Sequence, residues 1–314
     1  MINKLNLAYF AGGAEFTLEP FSSILESKHS VKIIYTKKLK SAGKVKKKGS
    51  NELFILALKK NIETIAIDKL ISSEHIEKLK KLKLDFIIVF SFGIILPKEI
   101  LDIPKYGCIN IHTSLLPKWR GASPIQHALL NNEKETGFTF ISMNEKLDEG
   151  DIIYQERINI ENIDNYQTLL YRITKLASNR LIEIIEKLAD DKIKIVKQDN
   201  SKASYCYKIK KEHTYIKFDN TASRILGQVK AFAPFPGAKF FLKGELIKIL
   251  EAKVEKESIN NEDYGVVVDN SLLISCKKGF IRLIKVQREG KSIMNVKDLL
   301  NGWKVKVGLK VNAE

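Results

Sequence analysis

The chain has 314 residues, 44% of them hydrophobic, with three cysteines and a formal net charge of +16. That length favours two domains, no apolar run approaches the ~20 residues that cross a bilayer, and three scattered cysteines without a C-x-x-C spacing exclude a disulfide framework or a cysteine-rich zinc site. The charge points to a polyanionic partner; lysine outnumbers arginine 46 to 7, so placement says more than the total, and residues 207–314 hold 21 Lys and Arg against 12 Asp and Glu.

The apolar start at residues 5–10 is broken by Asn6 and followed by Glu15. It reads as a first core strand and not as a signal peptide, and a cytoplasmic protein is expected. Further strands are predicted at 31–35, 65–67, 86–90 and 108–112, with helical patterns at 16–27, 51–60 and 73–82 between them. This alternation predicts an α/β, Rossmann-like, mostly parallel sheet that binds ligands beyond the carboxyl ends of its strands. Asn110 and His112 fall at one such end and, two apart on a strand, share a face. Cys108, in the same apolar strand, reads as a small buried hydrophobe. Ser123 followed by Pro124 reads as an N-cap and first helical residue of a helix over 124–130. Strands at 136–143 and 152–158 follow, joined by a turn that carries Asp148. A long helix over 165–188, with an apolar face of Leu169, Leu170, Ile173, Leu176, Leu181, Ile182 and Ile185, closes a first domain of residues 1–189. Residues 190–206 have the composition of a linker. Beyond them, short β-rich pieces at 215–218, 240–241, 247–252, 266–268, 272–276 and 280–286 predict a small antiparallel barrel over 207–314, although a sandwich would read similarly.

Three side chains carry the chemistry. Asn110 supplies an amide that donates hydrogen bonds, His112 an imidazole that moves protons, and Asp148 a carboxylate that orients it. That grouping suits acyl transfer without a covalent intermediate and needs no metal. His127, on the helix after Pro124, reads as structural, and His29, His75 and His213 show no ligand-like spacing. Gly12-Gly13 lacks the G-x-G-x-x-G pattern and no acidic residue follows the second strand near Tyr35, which argues against a dinucleotide-binding dehydrogenase.

Asn110-Ile111-His112, Ser114-Leu115-Leu116-Pro117-Lys118-Trp119-Arg120-Gly121 and Leu147-Asp148-Glu149-Gly150-Asp151 resemble, in order and spacing, the folate-dependent formyltransferase family. Residues 119–126, 230–238 and 296–302 are most similar to the branch that acts on aminoacylated tRNA. The resemblance implies an OB-like second domain, 10-formyltetrahydrofolate as co-substrate, and formyl transfer to the α-amino group of methionine on initiator tRNA, chemistry for which a monomer suffices. It implies that Asn110 donates to the reacting oxygen, that His112 faces this oxygen or shuttles the proton, and that Asp148 holds His112 and an ordered water. It places folate against Ser114, Leu115, Leu116 and Pro117, and the pterin against the backbone of Gly93, Ile94 and Leu96. The basic stretch with Lys37, Lys38, Lys40, Lys44, Lys46, Lys47 and Lys48, together with Arg120, is implied to meet tRNA. Lys44 stands where the family usually has arginine, and Gly12-Gly13-Ala14-Glu15-Phe16 stands where it usually has Gly-Thr-Pro-x-Phe. The rival reading is a related folate enzyme acting on a small amine or water; Trp119 and the basic second domain favour tRNA.

Overall fold

The computed structural model describes residues 3–38, 52–68, 72–260 and 262–312. The chain divides into two compact units, Met1–Ala122, Thr136–Ile158 and Leu170–Cys206 in one, Ser123–Glu135, Asn159–Leu169 and Tyr207–Glu314 in the other.

The first unit is built on β1 (Asn6–Ala11), β2 (Ser30–Lys37), β3 (Thr64–Ile67), β4 (Phe86–Phe90), β5 (Cys108–His112), β7 (Glu135–Ser142) and β8 (Ile152–Asn159). They form one sheet in the order β3-β2-β1-β4-β5-β7-β8. The pairs from β3 to β5 are parallel, and β5 meets β7 antiparallel with His112 opposite Thr139. The mostly parallel sheet expected from the sequence is therefore present. Central strands buried on both faces have no polar side to alternate with, and in β4 all five residues are buried. Ala8, Phe10, Ile33, Tyr35, Ile87 and Val89 fill one face with Leu79 of α3 (Ser73–Lys81) and Ile100 of α4 (Lys98–Leu101). On the other face Tyr9 stacks on Phe21 of α1 (Leu18–Glu26), with ring centroids 5.5 Å apart. Helix α2 (Glu52–Lys59) lies between β2 and β3 in the chain, and α6 (Tyr166–Ala189) buries Ile173, Ala177, Leu181 and Ile185.

Residues 190–206, linker-like in composition, are docked onto this unit. Val196 bridges Ile152, and β9 (Tyr205–Cys206) pairs in parallel with β6 (Arg120–Gly121).

In the second unit, β10 (Ala238–Leu242), β11 (Glu245–Asn260), β12 (Leu273–Ser275) and β13 (Lys278–Arg288) form an antiparallel half-barrel in the order β10-β11-β13-β12, with β14 (Met294–Asn295) on β13. The expected second β domain is thus present, with corrections of detail: residues 266–268, predicted as a strand, make isolated bridges, Val266 to Lys310 and Val267 to Ile274. Residues 215–218, predicted as a strand, make a single bridge, Tyr215 to Lys239. Helices α7 (Ala222–Phe232) and α8 (Val296–Gly302) were not predicted. The Thr221 side chain caps α7 by accepting from Arg224 N–H at 3.1 Å, and Ile225, Val229 and Phe232 bury one helical face. Finally, α5 (Pro124–Leu130) begins with Pro124 in its first turn, but the Ser123 side chain makes no capping hydrogen bond. Among the described residues no helix is long and apolar enough to cross a membrane.

One charge cluster fixes the turn that leads into β12. Arg282 on β13 donates to both Asp269 oxygens, at 2.8 and 2.7 Å, and Asp269 also accepts from the main-chain N–H of Ser271 (2.8 Å) and Leu273 (3.1 Å). The Arg282 guanidinium and these amides pull the Asp269 carboxyl from its ordinary 3.8 to about 2. A depressed carboxyl stabilises the fold above its unfolded value, and this contribution disappears as pH falls through about 2. Asp269→Asn is expected to destabilise the protein by about 1 kcal/mol at neutral pH. Denaturant titrations of variant and wild type should converge as the pH approaches 2.

Candidate active site

Asn110 and His112 leave β5 on one face, and the chain between β7 and β8 folds back so that Asp148 meets both. The Asn110 amide donates to Asp148 Oδ1 at 3.2 Å, the Gly121 N–H donates to Oδ2 at 2.9 Å, and His112 Nδ1 lies 3.6 Å from Oδ1. The Asn110 amide has two hydrogens, so one remains for a further acceptor. His112, 5% exposed, places Nε2 2.9 Å from the Trp119 carbonyl oxygen. A carbonyl only accepts, so Nε2 carries a hydrogen and Nδ1, facing Asp148, is the nitrogen with a free lone pair in the neutral ring. The arrangement sets the unprotonated nitrogen of a neutral imidazole and an amide donor around one carboxylate.

The backbone is bent to make this possible. Trp119, Gly121 and Asp148 all have positive φ, at 61°, 117° and 52°. A bulky Trp in this region is unusual and is held there by its surroundings: its N–H donates to Ser204 Oγ at 3.0 Å, and its carbonyl accepts from His112 and from the Cys206 thiol at 3.3 Å. Gly121 admits no side chain, since a Cβ there would meet the Cys206 carbonyl oxygen at 2.3 Å. Gly150 admits none either, with the Ser142 carbonyl oxygen 1.8 Å from the Cβ position, and this close approach lets the turn return over the end of β7.

The segment Ser114–Pro117 is braced by two residues that the sequence did not single out. Thr139 Oγ1 donates to the Ser114 carbonyl at 2.6 Å and accepts from Leu116 N–H at 3.1 Å, while the Gln155 amide donates to the Leu116 carbonyl and to Thr139 Oγ1, both at 2.9 Å. Ser114 and Leu116 are buried, Leu115 and Pro117 half-buried, and the Leu116–Pro117 peptide is cis. In the other folate-implied stretch, Gly93 has φ 63° and is exposed, Ile94 is half-buried, and Leu96 sits in the core.

The basic residues are placed unevenly. Lys37 lies on β2 with Nζ 2.6 Å from the position a Gly93 Cβ would take, beside the folate-implied stretch. Lys38 pairs with Asp68 at 3.9 Å. Lys40, Lys44, Lys46, Lys47 and Lys48 lie outside the described residues. Arg120 is not on the surface. It is 1% exposed, donates from Nε and Nη2 to Gln198 Oε1 (3.1 and 2.8 Å) and from Nη2 to Asn200 Oδ1 (2.7 Å), and lies 3.5 Å from Glu149. The donors of this guanidinium are turned inward, whereas the resemblance implies a contact with tRNA. No local pattern marks Gln198 or Asn200 as its partners, because they lie some 80 residues away in a stretch of linker-like composition.

Burial pushes the Cys108 thiol up to about 12, and the Cys276 thiol likewise. Neither is a nucleophile in the folded protein. Alkylation of the native protein at pH 8, followed by peptide mass spectrometry, is expected to leave both unmodified until denaturant is added. Among the described residues no group of three His, Cys, Asp or Glu is arranged to hold a metal ion.

The chain and its fold have counterparts among known proteins. The chain is 37% identical over 304 residues to the methionyl-tRNA formyltransferase of Pelagibacter ubique, covering 96% of this chain and 97% of that one. It is 38% identical over 302 residues to the enzyme of the same name from Ehrlichia canis, covering 94% and 97%. Its fold resembles that of WlaRD, a sugar 3N-formyl transferase solved in the presence of 5-N-formyl-THF (TM-score 0.66, 21% identity, 93% of this chain and 100% of that one). It also resembles HypX from Aquifex aeolicus in complex with tetrahydrofolic acid (TM-score 0.61, 16% identity, 94% of this chain and 46% of that one). Residues 5–185 match the formyl transferase family and residues 208–304 the formyl transferase C-terminal domain, so Asn110, His112 and Asp148 stand in a chain that belongs to the formyl transferase family.

Proposed function

We propose that this protein transfers the formyl group of 10-formyltetrahydrofolate to the α-amino group of methionine esterified to initiator tRNA, in the cytoplasm and as a monomer, for the start of translation. The observation that carries this reading is identity of 35–38% to methionyl-tRNA formyltransferases along nearly the whole chain, including the second domain. The site supports the chemistry independently. It offers a donor, a base and an orienting carboxylate for acyl transfer to an amine, and the folate-bound relatives of like fold suggest the formyl donor.

The residues divide the work as follows. Asn110, with one amide hydrogen on Asp148, uses the other to donate to the formyl oxygen as negative charge develops there; removal of one such donor costs roughly 3 kcal/mol in the transition state. His112 accepts at Nδ1 the proton that the neutral methionine amine sheds as it bonds to the formyl carbon. Asp148 opposes the charge on the imidazolium. The same nitrogen returns the proton to the departing folate nitrogen as its bond to the formyl carbon breaks, so no proton is gained or lost by the enzyme. The segment Ser114, Leu115, Leu116 and Pro117, fixed by Thr139 and Gln155, and the backbone of Gly93, Ile94 and Leu96 form the folate site. Its apolar walls with few polar groups suit a pterin. Residues 207–314, with their basic surplus, and Lys37, Lys38, Lys40, Lys44, Lys46, Lys47 and Lys48 serve the tRNA.

Incubation of the purified protein with 10-formyltetrahydrofolate and methionine-charged initiator tRNA is expected to give formylmethionyl-tRNA, with no product from uncharged tRNA or free methionine. Folate hydrolysis without transfer would overturn the reading in favour of a related folate enzyme. Asn110→Ala is expected to lower kcat by about 100-fold or more with tRNA affinity nearly unchanged, as read by steady-state kinetics and filter binding.

A further inference from the structure

We propose that Gln198 is a positioning residue for Asp148, gripping the main chain of its turn while Arg120 fixes the Gln198 side chain from behind; this rests on the formyl-transfer reading above. The Gln198 amide donates to the Asp148 carbonyl at 2.8 Å and to the Gly150 carbonyl at 2.7 Å, and its oxygen accepts from Arg120 Nε (3.1 Å) and Nη2 (2.8 Å). The orientation of the amide is settled by its partners, because two carbonyls can only accept and a guanidinium can only donate. Only a side chain with donor and acceptor at this reach satisfies both sides. Glutamate would set a carboxylate oxygen against two carbonyls, lysine could not accept from Arg120, and asparagine is one methylene shorter.

The grip acts where the turn needs it. Asp148 is held at φ 52°, a region that L-residues seldom adopt, and its carboxylate reaches Asn110, His112 and Gly121 only from there. Arg120 also reaches Asn200 Oδ1 at 2.7 Å and lies 3.5 Å from Glu149 Oε1, so the turn is tied at successive residues to the 198–200 segment. Arg120 and Gly121 are neighbours in sequence: one holds the back of the Asp148 turn through Gln198 and the other holds the Asp148 carboxylate. The Trp-Arg-Gly segment therefore grips the candidate catalytic carboxylate from both ends.

The test is steady-state formylation by full-length Gln198→Glu, alone and combined with Asp148→Asn. Misplacement of a reacting group by a fraction of its working distance costs up to 100-fold, so Gln198→Glu is expected to lower kcat by about 10- to 100-fold with both KM values within about 2-fold. In the Asp148→Asn background the same change should cost less than about 2-fold, since a residue that acts through Asp148 has nothing left to position. A loss confined to KM, or an undiminished loss in the double variant, overturns the proposal. Should Gln198→Glu fail to fold, Gln198→Met, which keeps the volume and loses both ends of the amide, is judged by the same two criteria. Amide hydrogen exchange at Gly121, whose N–H bonds Asp148 Oδ2, gives a readout that needs no turnover, and Gln198→Glu should accelerate it. Wild-type protein without formyl transfer would overturn the functional reading alone; unchanged exchange at Gly121 in Gln198→Glu would overturn the role of Gln198.

Discussion

A single carboxylate organises the site. Asp148 accepts from an amide on β5 and from a main-chain N–H in the Trp-Arg-Gly loop, and it faces an imidazole that has its other nitrogen bonded to the same loop. Asp148 lies 27 to 38 residues further along the chain than its partners, and it ties the end of β5 to the Trp-Arg-Gly loop. A buried or half-buried charge left without such partners costs far more than a missing surface contact. The local backbone is bent to match: three residues with positive φ lie in the two loops around Asp148, a Trp among them. Strain of this kind persists only where the surroundings fix it. Here the fixing groups are Ser204, Cys206 and Gln198, all in the stretch that follows α6.

Much of this was legible in the sequence, and the boundary is physical. Strands β1 and β4 show themselves because a strand buried on both faces must be almost wholly apolar, and α6 because a helix against a sheet must repeat its apolar residues near every third or fourth position. Asn110, His112 and Asp148 were readable as a group because their residue types have few joint uses. Residues 190–206 were not, since a polar segment that solvates a linker and one that hydrogen-bonds to a folded surface have the same composition. Helix α7 was missed for a related reason: Thr221 and Ser223 at its start and Gly227 in its middle resemble turn residues, while Ile225, Val229 and Phe232 carry the helical period. Arg120 shows the limit most clearly. A sequence records a cation, and only the fold reveals that its five donors are turned toward Gln198, Asn200, Tyr205 and Glu149.

The same distinction extends to the whole charge pattern. The chain has only seven arginines, and five have internal partners in plain view: Arg120 as above, Arg180 on Glu156, Arg224 on the Leu130 carbonyl, Arg282 on Asp269 and Glu255, and Arg288 on Glu245. Arg288 also lies 4.7 Å from the centre of the Trp303 ring. The planar fork, which suits bidentate pairing and stacking, is thus used for architecture. The surplus of positive charge is left to lysine, a compact and strongly hydrated point charge that finds phosphates by field and not by fit. A nucleic-acid surface built this way binds through counterion release, with affinity that falls steeply as salt rises and with little reading of base sequence. Under the proposed function, discrimination between tRNAs would then rest on the shape of the acceptor end as it enters the site and not on lysine charge.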